Sequence, residues 1–173
     1  MTFLRRSTRT IGVCVAGLAL LAPVLAISAA PAGAASLPTC TFDHLLAELT
    51  NGDAAAGSQY FTIRFTNTGK HSCVVDGHPG VSLVTANHDR VGLTAQRAND
   101  SVKTVRLDPG EKADAVLRIT NALNYPRSTC RPTDVRAVRV IPPDSTRSFY
   151  LKLHTKTCAV HVRTMTINAV RHH

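Results

Sequence analysis

Gln59-Tyr60-Phe61-Thr62-Ile63-Arg64-Phe65-Thr66-Asn67-Thr68-Gly69-Lys70-His71-Ser72-Cys73-Val74-Val75-Asp76-Gly77-His78-Pro79-Gly80-Val81 is the stretch on which the reading of this chain turns. Phe61, Ile63 and Phe65 fall on one side, while Tyr60, Thr62, Arg64 and Thr66 fall on the other. A period of two marks a strand with one face on a core and one in water. Asn67-Thr68-Gly69 follows with residues that tolerate positive φ, so a turn is expected there. Cys73 then opens a short apolar run that Gly77-His78-Pro79-Gly80 breaks. Strand, turn and strand with a covalent staple is the pattern of an all-β domain.

Working outward, the N-terminal side has a different character. Residues 1–10 carry Arg5, Arg6 and Arg9 and no acid, Ile11 to Ala30 is apolar apart from Ser28, and small residues fill 31–35. These are the three regions of a secretory signal, expected to be cleaved before Ala35 or Ser36. The rival is an uncleaved anchor, since about 20 apolar residues could span a bilayer. Pro23 and the Ala/Gly content favour cleavage. Cys14 lies too early for a lipid anchor, and Cys40 sits behind Leu37-Pro38-Thr39. Removing residues 1–35 from the 173 leaves 138, a usual size for one domain spanning 36–173.

The 20 basic residues less Arg5, Arg6 and Arg9 leave 17 against 11 acidic ones, a net charge of about +6. An excess of this size favours solubility and loose attraction to polyanions. At a bacterial surface these are anionic cell-wall polymers or lipid headgroups; another envelope protein is the other kind of partner. Nucleic acid is not expected, because Trp is absent, aromatic residues are 5% of the chain, and bases interleave with acids.

Four cysteines remain after cleavage: Cys40, Cys73, Cys130 and Cys158. In an oxidising compartment they make two disulfides with three possible connectivities. Cys40–Cys73 and Cys130–Cys158 are favoured, because each joins segments close in sequence. A metal site is the competing reading, but there is no Cys-x-x-Cys and the four are scattered.

The mature chain is expected to give eight or nine short strands. Leu45, Ala47 and Leu49 alternate in a first strand that could also be a helical turn. Residues 51–57 read as a loop. Ala113, Ala115, Leu117 and Ile119 face in, after the reverse turn Asp108-Pro109-Gly110-Glu111. Residues 121–129 read as the longest irregular loop of the distal half. Val135 to Ile141, Phe149 to Leu153 and Thr164 to Val170 follow as strands. Short strands at this spacing point to an immunoglobulin-like two-sheet β-sandwich with Greek-key links.

The phrases Phe65-Thr66-Asn67-Thr68-Gly69-Lys70-His71-Ser72-Cys73 and Asp76-Gly77-His78-Pro79-Gly80-Val81-Ser82-Leu83 recur in order with Leu107 to Ala113, Cys130-Arg131-Pro132, Ile141-Pro142-Pro143 and Cys158. From Cys40 to its end the chain resembles a family of exported actinobacterial proteins, the domain of unknown function 4232. The resemblance implies an exported, β-sandwich-like domain and brings no activity with it.

Residues able to do chemistry are present without the spacing that chemistry needs. His44, His71, His78, His88, His154, His161, His172 and His173 include no His-x-His or His-x-x-x-His pair, so solvated surface histidines are the simplest reading. Gly80-Val81-Ser82-Leu83 lacks the second glycine of a nucleophile elbow. Most carboxylates lie in turns, and no phosphate loop or dinucleotide fingerprint occurs. The expected protein is therefore a secreted, non-catalytic binding module of the cell envelope, with no cofactor or metal. Its candidate binding loops are 71–79, with His71, His78 and Pro79, and 121–129, with Asn124 and Tyr125, both at one end of the sandwich. The readings from other classes are an extracytoplasmic copper or zinc carrier using His154 and His161, and an envelope hydrolase.

Overall fold

The alternating stretch forms the centre of a large sheet, because its apolar side is wholly withdrawn from water. In the computed structural model, which describes residues 36–160 and 162–173, it is strand β2 (Ser58–Asn67). Ile63 and Phe65 are fully buried and Phe61 nearly so. The other strands are β1 (Leu45–Ala55), β3 (Cys73–Val75), β4 (Gly80–Val84), β5 (Arg90–Val91), β6 (Gln96–Arg97), β7 (Val105–Leu107), β8 (Lys112–Thr120), β9 (Pro132–Ile141), β10 (Phe149–Cys158), β11 (Met165–Ile167) and β12 (Arg171–His172). Residues 1–35, expected to be an export signal and including Cys14, and His161 lie outside the described residues.

Three sheets result. One runs β1-β2-β8-β11-β6, with β12 also paired to β8; a second runs β10-β9-β4-β5; the third is β3 with β7. No barrel closes among the described residues. A single buried cluster draws on all three sheets, with Phe61, Ile63, Phe65 and Leu117 from the first, Leu83, Val138 and Val140 from the second, and Val75 and Leu107 from the third. A second, small cluster packs Ala122 around Cys130 and Cys158. The disulfides are Cys40–Cys73 and Cys130–Cys158, with S–S distances of 2.02 and 2.04 Å.

Several expectations are corrected. Twelve strands are present among the described residues where eight or nine were expected, because the count rests on two- and three-residue segments that carry no period of their own. β2 and β3 do not form a hairpin: β2 pairs β1 and β8, while β3 crosses to β7. The turn at Asn67 needs no positive φ. Asn67 is 0% exposed, and its side chain donates to the carbonyls of His71 at 2.9 Å and Leu107 at 3.0 Å and accepts from the Gly69 N–H at 2.9 Å. A buried amide with all its groups engaged fixes the corner by hydrogen bonds.

Residues 51–57 are not a loop either. β1 runs to Ala55 through a register shift between Asn51 and Ala54, and Ala56-Gly57 alone make the return. Their φ angles of 47° and 69° are both left-handed, as a two-residue turn matching strand twist requires. Residues 121–129 hold a 3-10 turn at Ala122–Asn124 and the start of a helical turn at Arg127–Cys130. Leu45, Ala47 and Leu49 all lie in β1, so the strand reading holds and the helical-turn reading does not; a 3-10 turn at Phe42–His44 precedes the strand.

Gly92 gives a testable point of close approach. It has φ +69°, and a Cβ there would stand 2.3 Å from the Cys158 carbonyl oxygen. Gly92→Ala combines a strained backbone with a clash against main chain, and is expected to cost about 2 kcal/mol in urea unfolding. A loss below about 0.5 kcal/mol, the range of a neutral surface change, would show that the segment simply relaxes.

Candidate functional site

The two loops expected to share a surface are held apart by β2 itself. Asn124 donates from Nδ2 to the Gly57 carbonyl at 2.9 Å, at the beginning of β2, whereas His71 is tied through its carbonyl to Asn67, at the end. Nine residue steps of strand, at about 3.3 Å each, put roughly 30 Å between them. Tyr125 packs on the Cys130–Cys158 cluster. No single contact surface contains both loops.

Within the first loop the residues divide further. His71 is exposed, but Pro79 is buried and His78 is not a solvated histidine. The His78 side chain is 7% exposed and its Nε2 lies 2.7 Å from Oδ1 of Asp100, itself 12% exposed. Oδ2 of Asp100 accepts from Nδ2 of Asn168 and the N–H of Ala169, both at 3.0 Å, and from Arg171 at 3.2 Å. Burial pushes the Asp100 carboxyl up, but the hydrogen bonds from Asn168, His78 and Ala169 outweigh it and hold the group well below the usual carboxylate range. This cluster joins three segments remote in sequence, and no spacing in the chain announced it.

The outer faces of the two large sheets differ in electrostatics. On the six-stranded sheet Arg64 makes two 2.9 Å hydrogen bonds to Asp114, and Nδ1 of His173 lies 2.8 Å from the same carboxylate. Burial raises the Asp114 carboxyl and these partners more than reverse it, leaving it lowered. Arg64 and Asp114 cancel there, while Arg118 on the same face donates to Ser58 Oγ and makes no salt bridge among the described residues.

The four-stranded sheet is built otherwise. Opposed residues of an antiparallel pair share a face, so the register Lys152↔Ala137, Ala137↔Val84 and Val84↔Arg90 sets Lys152 and Arg90 on one row across all four strands. The next row is Tyr150, Arg139 and Ser82. A register shift between Lys152 and Thr155 opposes Leu153 and His154 to Arg136 alone, and Nη1 of Arg136 comes within 3.3 Å of Nδ1 of His154. Such a bulge re-aims side chains.

Arg90, Arg136, Arg139 and Lys152 make no salt bridge among the described residues. Asp134 is the one carboxylate on these strands, and Lys156 takes it at 2.7 Å and holds it below its ordinary value. The turns add Asp89 and Asp144, and Asp53 of β1 lines a pocket with Lys152 and His154 without pairing either. His88, at φ +66° in the β4–β5 turn, stacks on Tyr150 with ring centroids 4.0 Å apart, reaching over β9 to do so. Val84 is buried without joining the core, so this face carries its own cover. The outcome is a cationic surface with one exposed aromatic platform.

The metal reading gains nothing from this placement: among the described residues no three His, Cys, Asp or Glu side chains form a set that could hold an ion. His154 has a guanidinium beside it, and His161 lies outside the described residues. No helix of the described residues is long and apolar enough to cross a membrane. A family model described as Domain of unknown function (DUF4232) matches residues 40–171. No curated protein matches the chain.

Proposed function

Because the chain belongs to the family described as Domain of unknown function (DUF4232), a description that carries no activity, we propose its role from its own surface: a secreted, non-catalytic module that holds anionic cell-wall polymers on the outer face of its four-stranded sheet. The two disulfides and the apolar N-terminal stretch after Arg5, Arg6 and Arg9 support export. One buried cluster shared by both large sheets supports an immunoglobulin-like sandwich. The pairing of β2 with β8, beside the local hairpins β1–β2 and β9–β10, supports Greek-key links.

The observation that carries the reading is the set of four cations without carboxylate partners, Arg90, Arg136, Arg139 and Lys152. Each exposed ion contact is worth about 0–1 kcal/mol, so one alone holds nothing. A polymer with repeating phosphates engages several at once, and linked contacts multiply. The Tyr150–His88 pair offers a flat face to the carbon skeleton between charges.

Neutralising Arg90, Arg136 and Lys152 together to Gln leaves the Arg139–Ser148 hydrogen bond in place. Retention on an immobilised glycerol-phosphate polymer is expected to fall about tenfold or more, and parent retention to weaken steeply as salt rises. Equal retention of the variant, or binding by the parent that salt does not touch, would refute the assignment. The metal-carrier and hydrolase readings gain no supporting observation among the described residues.

A further inference from the structure

Beside the Cys40–Cys73 disulfide, at the end of the molecule where β2 gives way to β3, lies a groove of about 490 Å³. Its walls are the segment 38–44 on one side and the corner 67–73 on the other. His44, Lys70 and His71 all line it, together with Thr41, Thr68 and Ser72, and no carboxylate does. Nδ1 of His44 is taken by Thr41 Oγ1 at 3.1 Å, which leaves its Nε2 free.

The backbone of this corner also has donors to offer. Gly69 N–H is used by Asn67 and Thr68 N–H by the His44 carbonyl at 2.8 Å. The next three N–H groups, of Lys70, His71 and Ser72, donate to no other described residue. Successive free N–H groups at a turn form a concave seat for an anion. The carboxylate closest in this network, Asp108, is occupied: it accepts from Ser72 Oγ and from Arg106 at 2.8 Å, and these hold it ionised and below its usual range. Its charge is compensated by Arg106 and is not the groove's counter-ion.

We propose that this groove binds a phosphate group, taken by the N–H groups of Lys70 to Ser72 and by the Lys70 and His44 side chains. A tetrahedral phosphate offers several acceptors at once to donors arriving from two walls. The Asn67 side chain, fixed by three hydrogen bonds, keeps the corner rigid. Free phosphate and the phosphate of a polymer present the same chemistry to it. The site stands on different residues from the cationic sheet face, and either can hold without the other.

The test is a titration of the 15N-labelled secreted protein with inorganic phosphate, against chloride at matched ionic strength. The amide signals of Lys70, His71 and Ser72 are expected to move saturably with phosphate, with Kd of about 5 mM, and Lys70→Gln to weaken this about fivefold while signals elsewhere stay in place. A second arm uses a glycerol-phosphate polymer: tighter saturation of the same amides than with free phosphate assigns the polymer as source, and equal affinity assigns the free ion. Repeating the titration on the Arg90, Arg136 and Lys152 triple variant separates the two sites, since the groove signals should still respond. Identical movement with chloride, or unchanged affinity in Lys70→Gln, would overturn the proposal.

Discussion

Replacing Cys40 and Cys73 together by serine is expected to remove about 4 kcal/mol of stability. The link closes a loop of 33 residues, and restricting an unfolded chain at that separation is worth roughly 3.5–4 kcal/mol on the entropy model. Both sulfurs lie in the main buried cluster, so two hydroxyls would enter apolar surroundings as well. Local structure cannot take over the link's task. Apart from the disulfide, the backbone pairing of this segment with β3 among the described residues is the Thr39↔Val74 bridge, with Cys40 N–H to the Val74 carbonyl at 2.8 Å and Val74 N–H to the Pro38 carbonyl at 2.9 Å. β3 and β7 pair over three residues each, and a ribbon that short does not hold itself in water. Against a typical net stability of about 5–15 kcal/mol, this loss decides whether a small domain stays folded. Urea unfolding of parent and variant without reductant measures it. A difference under about 1 kcal/mol would mean that the unfolded chain is already held compact there.

Asp100→Ala is the second large effect, expected to cost about 3–5 kcal/mol. Four donors lose their acceptor at once: Nε2 of His78, Nδ2 of Asn168, the Ala169 N–H and the Arg171 guanidinium. Removing the carboxylate strands the withdrawn His78, Asn168 and Ala169 donors, while the exposed Arg171 guanidinium returns to water, and leaving such donors unpaired costs more than the hydrogen bonds themselves contribute. Asp100→Asn should lie between, since one carbonyl oxygen serves only one side of the site. The pH dependence has a fixed sign. The folded-state carboxyl is held well below its unfolded value, so its stabilisation is complete above about pH 4 and drains away as pH falls further. Parent stability should therefore fall with acid more steeply than that of Asp100→Ala. Parallel curves below pH 4, or a loss under about 1 kcal/mol at neutral pH, would show that Asp100 is not a clamp.

Much of the β architecture could be read from side-chain period. From Phe61 to Asn67 in β2 and throughout β8 every second residue is buried, because each strand has one face on the core and one toward water, and a period of two records that division directly. The turn at Asp108-Pro109-Gly110-Glu111 was equally readable: Gly110 takes φ +84° and Glu111 N–H donates to the Asp108 carbonyl at 2.9 Å. The Ala56-Gly57 hairpin was not, since an alanine-rich run gives neither alternation nor the usual Asn-Gly signature. His78 was misread for a related reason. Its neighbours in sequence are turn residues, and the groups that bury it come from positions 100 and 168–171.

The candidate sites follow the same division. The phrase at 67–73 drew attention to the groove loop, but the groove exists only because residues 38–44 are brought against it. Arg136, Arg139 and Lys152 stand out as basic residues in any reading, yet whether a cation is free or paired depends on which carboxylate the neighbouring strand presents. Lys156 faces Asp134 and is neutralised, while Lys152, four residues earlier, faces Ala137 and is not. By itself the amino-acid order determined a β-rich chain with four cysteines beyond a basic and apolar N-terminal stretch, because alternation and cysteine number are local properties. Only the tertiary structure decided which charges cancel and which loops meet, because β2 joins β8 across some fifty positions and no local pattern encodes a register set at that range.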